Sequence, residues 1–350
     1  MVPLTPYLMT EKDRVNLLNW FLTNQRPLPW RKNRDPYRIW ISETMLQQTT
    51  TEAVKPYFEK FLQRFPTVYD LAMAPLEDVL ENWAGLGYYS RARNLHKASQ
   101  ILAKNGFSKT YLELIELPGF GPYTSRAVSS IAFDENVGVL DGNVIRVLSR
   151  KHNKALEWWR PNDRRILQQL ADDVVADGPS HQLNQALMEL GATTCLPRNP
   201  KCILCPWMKT CEARKADTIE QLPLRKKQRD SEIWIWKPTI QVRNGKILLV
   251  QNNYAPFLKN EWILPGEVTQ KKIAPAGFDF RHSITHHDIF VKLQKADKKS
   301  MSRLGQNKDS KKINKSLAQP EQKWVELKQV AKISPFSLMT KALKSIEISE

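Results

Sequence analysis

No run of apolar residues in this chain is long. Ile247–Leu248–Leu249–Val250 is typical of the longest, whereas a membrane-crossing helix needs about 20 such residues in a row. The amino terminus carries Tyr7, Glu11, Lys12, Asp13 and Arg14 close together and lacks the apolar core of a secretion signal. Cysteine is scarce as well, with four in 350 residues. Secreted disulfide scaffolds are short and cysteine-dense, so the composition argues against one. A soluble cytoplasmic protein with no membrane partner is expected. Acidic residues are too few to balance the basic ones: 36 Asp and Glu stand against 53 Lys and Arg, a formal net charge of +17. Such a surface attracts phosphate backbones by releasing their counterions, whatever the base sequence. Nucleic acid is therefore the favoured partner.

A chain of this length with 41% hydrophobic residues can build two cores. Residues 1–222 read as helical. Val54, Tyr57, Phe58 and Phe61 recur at helical spacing, as do Leu167, Leu170, Val174 and Val175. Breaks fall at Arg34–Asp35–Pro36, Ala74–Pro75, Leu117–Pro118–Gly119 and Asp177–Gly178–Pro179. A charged linker over 223–232 leads to a different texture. Ile233–Ile240 alternates with tryptophans, and Asn244–Gly245 between two apolar runs predicts a hairpin. Strands are also expected at Trp262–Leu264 and Ile289–Val291, and a helical pattern over 328–347. The stretch 295–323, rich in Lys, Ser, Asn and Gln and poor in aromatics, reads as a mobile basic loop.

All four cysteines lie in one window, Cys195, Cys202, Cys205 and Cys211, spaced C-x6-C-x2-C-x5-C. Four clustered thiolates suit zinc or an iron–sulfur cluster, and spacing alone does not choose between them. Upstream, Leu117-Pro-Gly-Phe-Gly-Pro-Tyr-Thr-Ser-Arg-Ala127 puts Gly119 and Gly121 in a tight turn before an apolar-periodic helix. Such a turn brings backbone N–H groups close to a phosphate, although most interhelical turns of this kind bind nothing. Leu140-Asp-Gly-Asn-Val-Ile-Arg-Val-Leu148 follows. By themselves Asp141 and Asn143 read as helix caps.

Taken together, these segments resemble the helix-hairpin-helix DNA glycosylases with an iron–sulfur cluster, and within them the adenine DNA glycosylase (MutY) family. The resemblance is densest over residues 20–215. It rests on Leu28-Pro-Trp-Arg31, Ser42-Glu-Thr-Met-Leu-Gln-Gln-Thr49, Gly85-Leu-Gly-Tyr-Tyr-Ser-Arg-Ala-Arg-Asn94, the hairpin near 113–133, Leu140–Val144 and the cysteine loop 195–211. It implies a mainly α, two-lobed glycosylase domain with a [4Fe–4S] cluster, followed over 233–350 by a smaller α+β, Nudix-like lesion-recognition domain. The implied substrate is adenine mispaired with 8-oxoguanine or guanine in double-stranded DNA, and the implied state is a monomer.

Breaking a base–sugar bond calls for a protonated acid on the leaving base and an ionised carboxylate near the cationic sugar. The resemblance gives these roles to Glu43 and Asp141, the bland alternative for Glu43 being a first-turn acid that complements a helix dipole. Tyr123 stands where strand-cleaving relatives carry a Schiff-base lysine, which implies a monofunctional enzyme. It is expected to hydrogen-bond Asp141, with Asn143 assisting. Gln48 and Tyr88 are assigned by resemblance to the DNA wedge, and Thr49 and Leu86 are expected among the DNA-binding residues. Arg26, Trp30, Arg31 and Gln185 go to the adenine pocket. In the second domain, His282-Ser-Ile-Thr-His286 stands where the family reads the lesion, which points to Thr285 and His286. The segment after Gly266 lacks the paired glutamates of a Nudix hydrolase, so pyrophosphate hydrolysis is not expected. The competing readings are a mismatch glycosylase acting on thymine or another base, and a DNA-binding homologue without catalysis.

Overall fold

The computed structural model describes residues 9–227, 230–295, 306–307 and 320–347. It falls into two compact units, the first ending at Lys227.

Among its described residues the first unit has helices and no strands: α1 (Glu11–Asn24), α2 (Pro36–Met45), α3 (Thr51–Arg64), α4 (Val68–Met73), α5 (Leu76–Trp83), α6 (Ser90–Asn105), α7 (Tyr111–Leu114), α8 (Pro122–Phe133), α9 (Gly142–Lys151), α10 (Pro161–Val175), α11 (Ser180–Thr193) and α12 (Glu212–Lys215). The sequence breaks become caps. Asp35 accepts from the Tyr37 and Arg38 N–H groups at the start of α2, with Pro36 at its first position. Thr67 and Asp70 form a capping box on α4.

Packing gathers around two centres. Leu17 and Phe21 of α1 meet Val144 and Leu148 of α9, Leu167 and Val174 of α10, and Leu187 and Leu190 of α11, all buried. Each such side chain contributes about 1.5–3 kcal/mol. The other centre is aromatic: Phe61 of α3 meets Phe65 at 4.9 Å and Trp83 of α5 edge-on at 6.0 Å. Helix α2 is buried along eight of its residues, from Tyr37 through Met45 except Arg38, and packs on α3 and α8. A helix covered on every side is a rigid support for what it carries.

In the second unit β1 (Glu232–Ile240) is central. Trp234, Trp236 and Pro238 form its buried face, as the alternation predicts. The remaining strands are β2 (Val242–Arg243), β3 (Lys246–Gln251), β4 (Trp262–Ile263), β5 (Gly266–Lys271), β6 (Phe280–Ile284), β7 (His287–Val291), β8 (Gln294–Lys295), β9 (Gln306–Asn307) and β10 (Gln322–Glu326). One sheet runs β6-β7-β1-β5-β9, with β8 also on β1, and the other runs β10-β3-β2, with β4 on β3. Strand β1 is parallel to β7 and antiparallel to β5. Asn244–Gly245 joins β2 to β3. The terminal pattern resolves into a single turn, Leu327–Gln329, then α13 (Val330–Ile333) and α14 (Ser337–Glu347). The break has a visible cause: Pro335 follows α13, and proline cannot continue a helix. Most of the basic stretch 295–323 lies outside the described residues.

Candidate active site and cysteine loop

Three helix termini meet at a cavity of about 440 Å³ in the first unit. Glu43 sits in the last turn of α2, 5% exposed, so it is not a first-turn acid complementing a dipole. Tyr123 lies in the first turn of α8, and Asp141 is the N-cap of α9, its Oδ1 accepting the Val144 N–H at 2.7 Å. Asp141 is thus a cap and also part of the cavity wall. Asn143 donates to Asp141 Oδ2 at 3.0 Å. Its placement needs Gly191 on α11, where a Cβ would lie 2.6 Å from that of Asn143.

The expected Tyr123–Asp141 bond is not formed. Tyr123 donates instead to Glu43 Oε2 at 2.5 Å. The physical reason is packing: α8 lies against α2, which brings the Glu43 carboxyl to the phenol, while Asp141 accepts from Val144 and Asn143.

Electrostatics separates the two carboxyl groups. Burial pushes the Glu43 carboxyl up to about 7, the Tyr123 hydrogen bond only partly opposing it, with nearby Asp141 raising it further. Burial also raises Asp141, but the Val144 N–H, the Asn143 amide and the Arg146 charge all favour its ionised form. More groups favour the ionised form of Asp141 than of Glu43, which separates the two carboxyls in the sense that favours a proton on Glu43. Burial lifts the Tyr123 phenol well above its ordinary value, so it remains a donor.

Two charged residues that sequence reasoning missed complete the surroundings. Glu189 of α11 is fully buried and receives Arg26 Nε at 2.7 Å and Arg31 Nη2 at 2.9 Å. Burial would raise its carboxyl, yet the Arg26 bonds and the Arg31 charge hold it below the usual range. Arg146 donates to Asn143 Oδ1 at 2.9 Å and to the Cys195 carbonyl at 2.7 Å, linking the Asp141 side of the cavity to the cysteine loop. Both residues had a signal, being charges set among apolar neighbours on α11 and α9. Arg26, Trp30, Arg31, Thr49 and Gln185 line the same cavity as Glu43, Tyr123, Asp141 and Asn143.

Gln48, Leu86, Tyr88, Gly119 and Gly121 lie outside that lining. Gln48 and Tyr88 occupy left-handed backbone at φ 58° and 48°, Gln48 in the loop between α2 and α3 and Tyr88 in the loop between α5 and α6. Tyr88 is half exposed, whereas the Leu86 side chain is buried. One guanidinium joins both loops: Arg91 donates to the Thr44, Met45 and Gln47 carbonyls at 2.7–3.0 Å and to those of Leu86 and Gly87 at 3.2 Å. Gly119 turns the hairpin at φ 82°, with no room for a Cβ against Asn94. Gly121 caps α8 with open space beside it. Between them Phe120 stacks on Trp40 of α2 at 5.2 Å, fixing the hairpin to the helix that bears Glu43. Thr285 and His286 belong to the second unit and form the turn between β6 and β7, Thr285 at φ 54°.

The four cysteines are free and line one small cavity of about 30 Å³. Buried Arg150 of α9 organises their loop. It donates to the Leu196, Pro197, Ile219 and Leu222 carbonyls and to Cys195 Sγ at 3.5 Å, and its own carbonyl accepts from Cys211 Sγ at 3.4 Å. Four soft donors converging from one loop fit a thiolate-bound metal centre.

The family model described as HhH-GPD superfamily base excision DNA repair protein matches residues 41–176. A fold of this kind around a cavity with two split carboxyl groups defines a DNA N-glycosylase of that superfamily. Among curated proteins, the adenine DNA glycosylase of Buchnera aphidicola (subsp. Baizongia pistaciae) is 33% identical over 299 residues, 79% of this chain and 83% of that protein. The human adenine DNA glycosylase is 41% identical over 224 residues, 60% of this chain and 40% of its own. The chain belongs to the adenine DNA glycosylase family. A solved structure described as a thermostable thymine-DNA glycosylase is similar in fold, with a TM-score of 0.53 and 29% identity over 59% of this chain and 97% of that one. No helix among the described residues is long and apolar enough to cross a membrane.

Proposed function

We propose that the chain, acting as a monomer, hydrolyses the N-glycosidic bond of adenine mispaired with 8-oxoguanine, and more slowly with guanine, in double-stranded DNA. One observation carries this reading. Glu43, whose carboxyl burial pushes up to about 7, and Asp141 line one cavity.

An adenine rotated out of the stack enters the cavity, and Glu43 delivers its proton to N7. The C1′–N9 bond breaks, its electron pair leaves with the base, and positive charge builds on the sugar. Ionised Asp141 faces that charge, held in place by Asn143. Water then attacks C1′ and gives its proton to Glu43, restoring the acid. A carboxyl pair with divided roles has the same logic in glycoside hydrolysis. Tyr123 holds Glu43 and has no amine, so no Schiff base forms and the strand stays intact.

Cys195, Cys202, Cys205 and Cys211 would hold a [4Fe–4S] cluster, supported by the shared cavity and the all-sulfur donor set. When bound it ties loop 195–211 together, and the hydrolysis draws no electrons from it. Gly119 and Gly121 present backbone N–H groups to a DNA phosphate. Gln48 and Tyr88 shape the wedge, and Thr49 and Leu86 contact the DNA beside it, Leu86 through its backbone. Arg26 and Arg31 border the adenine. The second unit is the Nudix-like lesion reader, with Thr285 and His286 at the 8-oxoguanine.

Glu43→Gln and Asp141→Asn, assayed in single turnover on A:8-oxoguanine duplexes, test the assignment. Both should lose excision by about 10²-fold or more while binding the same duplex within a few-fold of the parent. Excision near the parental rate in either variant refutes the role given to that residue.

A further inference from the structure

In the second unit Glu232 opens β1 opposite His287 in the parallel ladder with β7. The Glu232 N–H donates to the His286 carbonyl at 2.7 Å, fixing the turn against the strand. Three side chains converge here. The carboxylate and an imidazole nitrogen from each of His286 and His287 lie within 4.8 Å of one another. The Glu232 carboxylate is oriented from behind, since the Trp234 indole N–H donates to Oε2 at 2.9 Å. The two imidazoles stand with ring centres 4.0 Å apart.

The separations are informative. Glu232 Oε1 lies 3.7 Å from His286 Nε2, and Oε2 lies 3.5 Å from His287 Nε2. An imidazole–carboxylate hydrogen bond would close to about 2.7–3.2 Å. Two donors sharing a tetrahedral cation at about 2.0–2.2 Å stand about 3.3–3.6 Å apart. The observed gaps, each to its own carboxylate oxygen, are too open for hydrogen bonds and leave room for one cation between the carboxylate and the two imidazoles.

We propose that Glu232, His286 and His287 form a binding site for a zinc-class divalent cation. Nε2 of both histidines and the Glu232 carboxylate are the donors, and the remaining position is open to water. Two imidazoles and one carboxylate suit zinc better than calcium or magnesium, which take oxygen ligands. Three donors without a fourth make an exchangeable site. A bound cation cross-links the first residue of β1 to the β6–β7 turn and restrains Thr285.

The test uses the full-length, cluster-loaded protein, stripped with EDTA and titrated calorimetrically with Zn²⁺. One ion per chain is expected, and zinc-edge X-ray absorption should show imidazole nitrogen at about 2.0 Å and no sulfur. Glu232→Gln, which keeps an acceptor for Trp234, and His286→Ala should each weaken uptake roughly tenfold or more, in the same range as losses from ligand-shell mutations. Their iron content and circular dichroism should match the parent. Zinc should slow amide exchange at residues 284–287 in the parent and in neither variant. Absence of zinc uptake, sulfur in the zinc shell, or parental affinity in both variants overturns the proposal.

Discussion

Replacing Glu43 by Gln should make the protein less active and more stable, and the gain should depend on pH. A carboxyl raised from 4.5 to about 7 binds its proton more tightly in the folded chain than in the unfolded one. Folding stability then falls as pH rises from about 4.5 through about 7, by about 3 kcal/mol in all. Glutamine fits the same space, keeps an oxygen for the Tyr123 hydroxyl and does not titrate. The stability difference between Glu43→Gln and the parent should therefore grow by about 2–3 kcal/mol in favour of the variant from pH 5 to pH 8. Urea midpoints of the cluster-loaded proteins, followed by circular dichroism at several pH values, would measure it. A difference independent of pH would refute the reasoning, because it would mean that Glu43 is not held protonated by the fold.

The same proton sets the alkaline limb of activity, so parental excision should fall as pH rises above about 7. The Tyr123 hydrogen bond favours the charged form of Glu43, so Tyr123→Phe should move that limb to higher pH in a single-turnover pH profile, without strand cleavage. Glu189→Ala strips two arginines of their buried partner and should cost about 3–5 kcal/mol of stability by urea unfolding, with Glu189→Gln recovering part of it. Arg146→Ala removes the donor that positions Asn143; it should slow excision roughly tenfold or more, while DNA affinity in a filter-binding assay stays near parental. Borohydride trapping of the parent on substrate DNA should yield no adduct at the level of a lyase control, as a tyrosine at 123 requires.

Much of this site was legible in the sequence because its parts are local. Asp35–Pro36 marks where α2 begins, Leu117–Gly121 marks the hairpin, and Asp141 falls on the cap of α9. The strands of the second unit could be read from alternation because β1 has one buried face. Partnership was harder to read. Glu43 and Tyr123 are 80 residues apart, and no spacing rule says which carboxylate the phenol will meet. That choice followed from the packing of α8 against α2, a tertiary fact. Glu189, Arg146 and Arg91 went unnoticed for a related reason: each acts on residues or carbonyls far along the chain, within shells that exist only once the helices have packed. The grouping of Glu232 with His286 and His287 likewise comes from a parallel strand pairing between distant segments.

The most direct measurement is single-turnover base release, read after alkali, on duplexes with A:8-oxoguanine, A:G, T:G and U:G. Adenine should be released fastest opposite 8-oxoguanine and more slowly opposite guanine, with T:G and U:G intact and no strand breaks before alkali. Release of thymine or uracil at a comparable rate, or no release of adenine, would contradict the assignment of Glu43 and Asp141 to adenine excision.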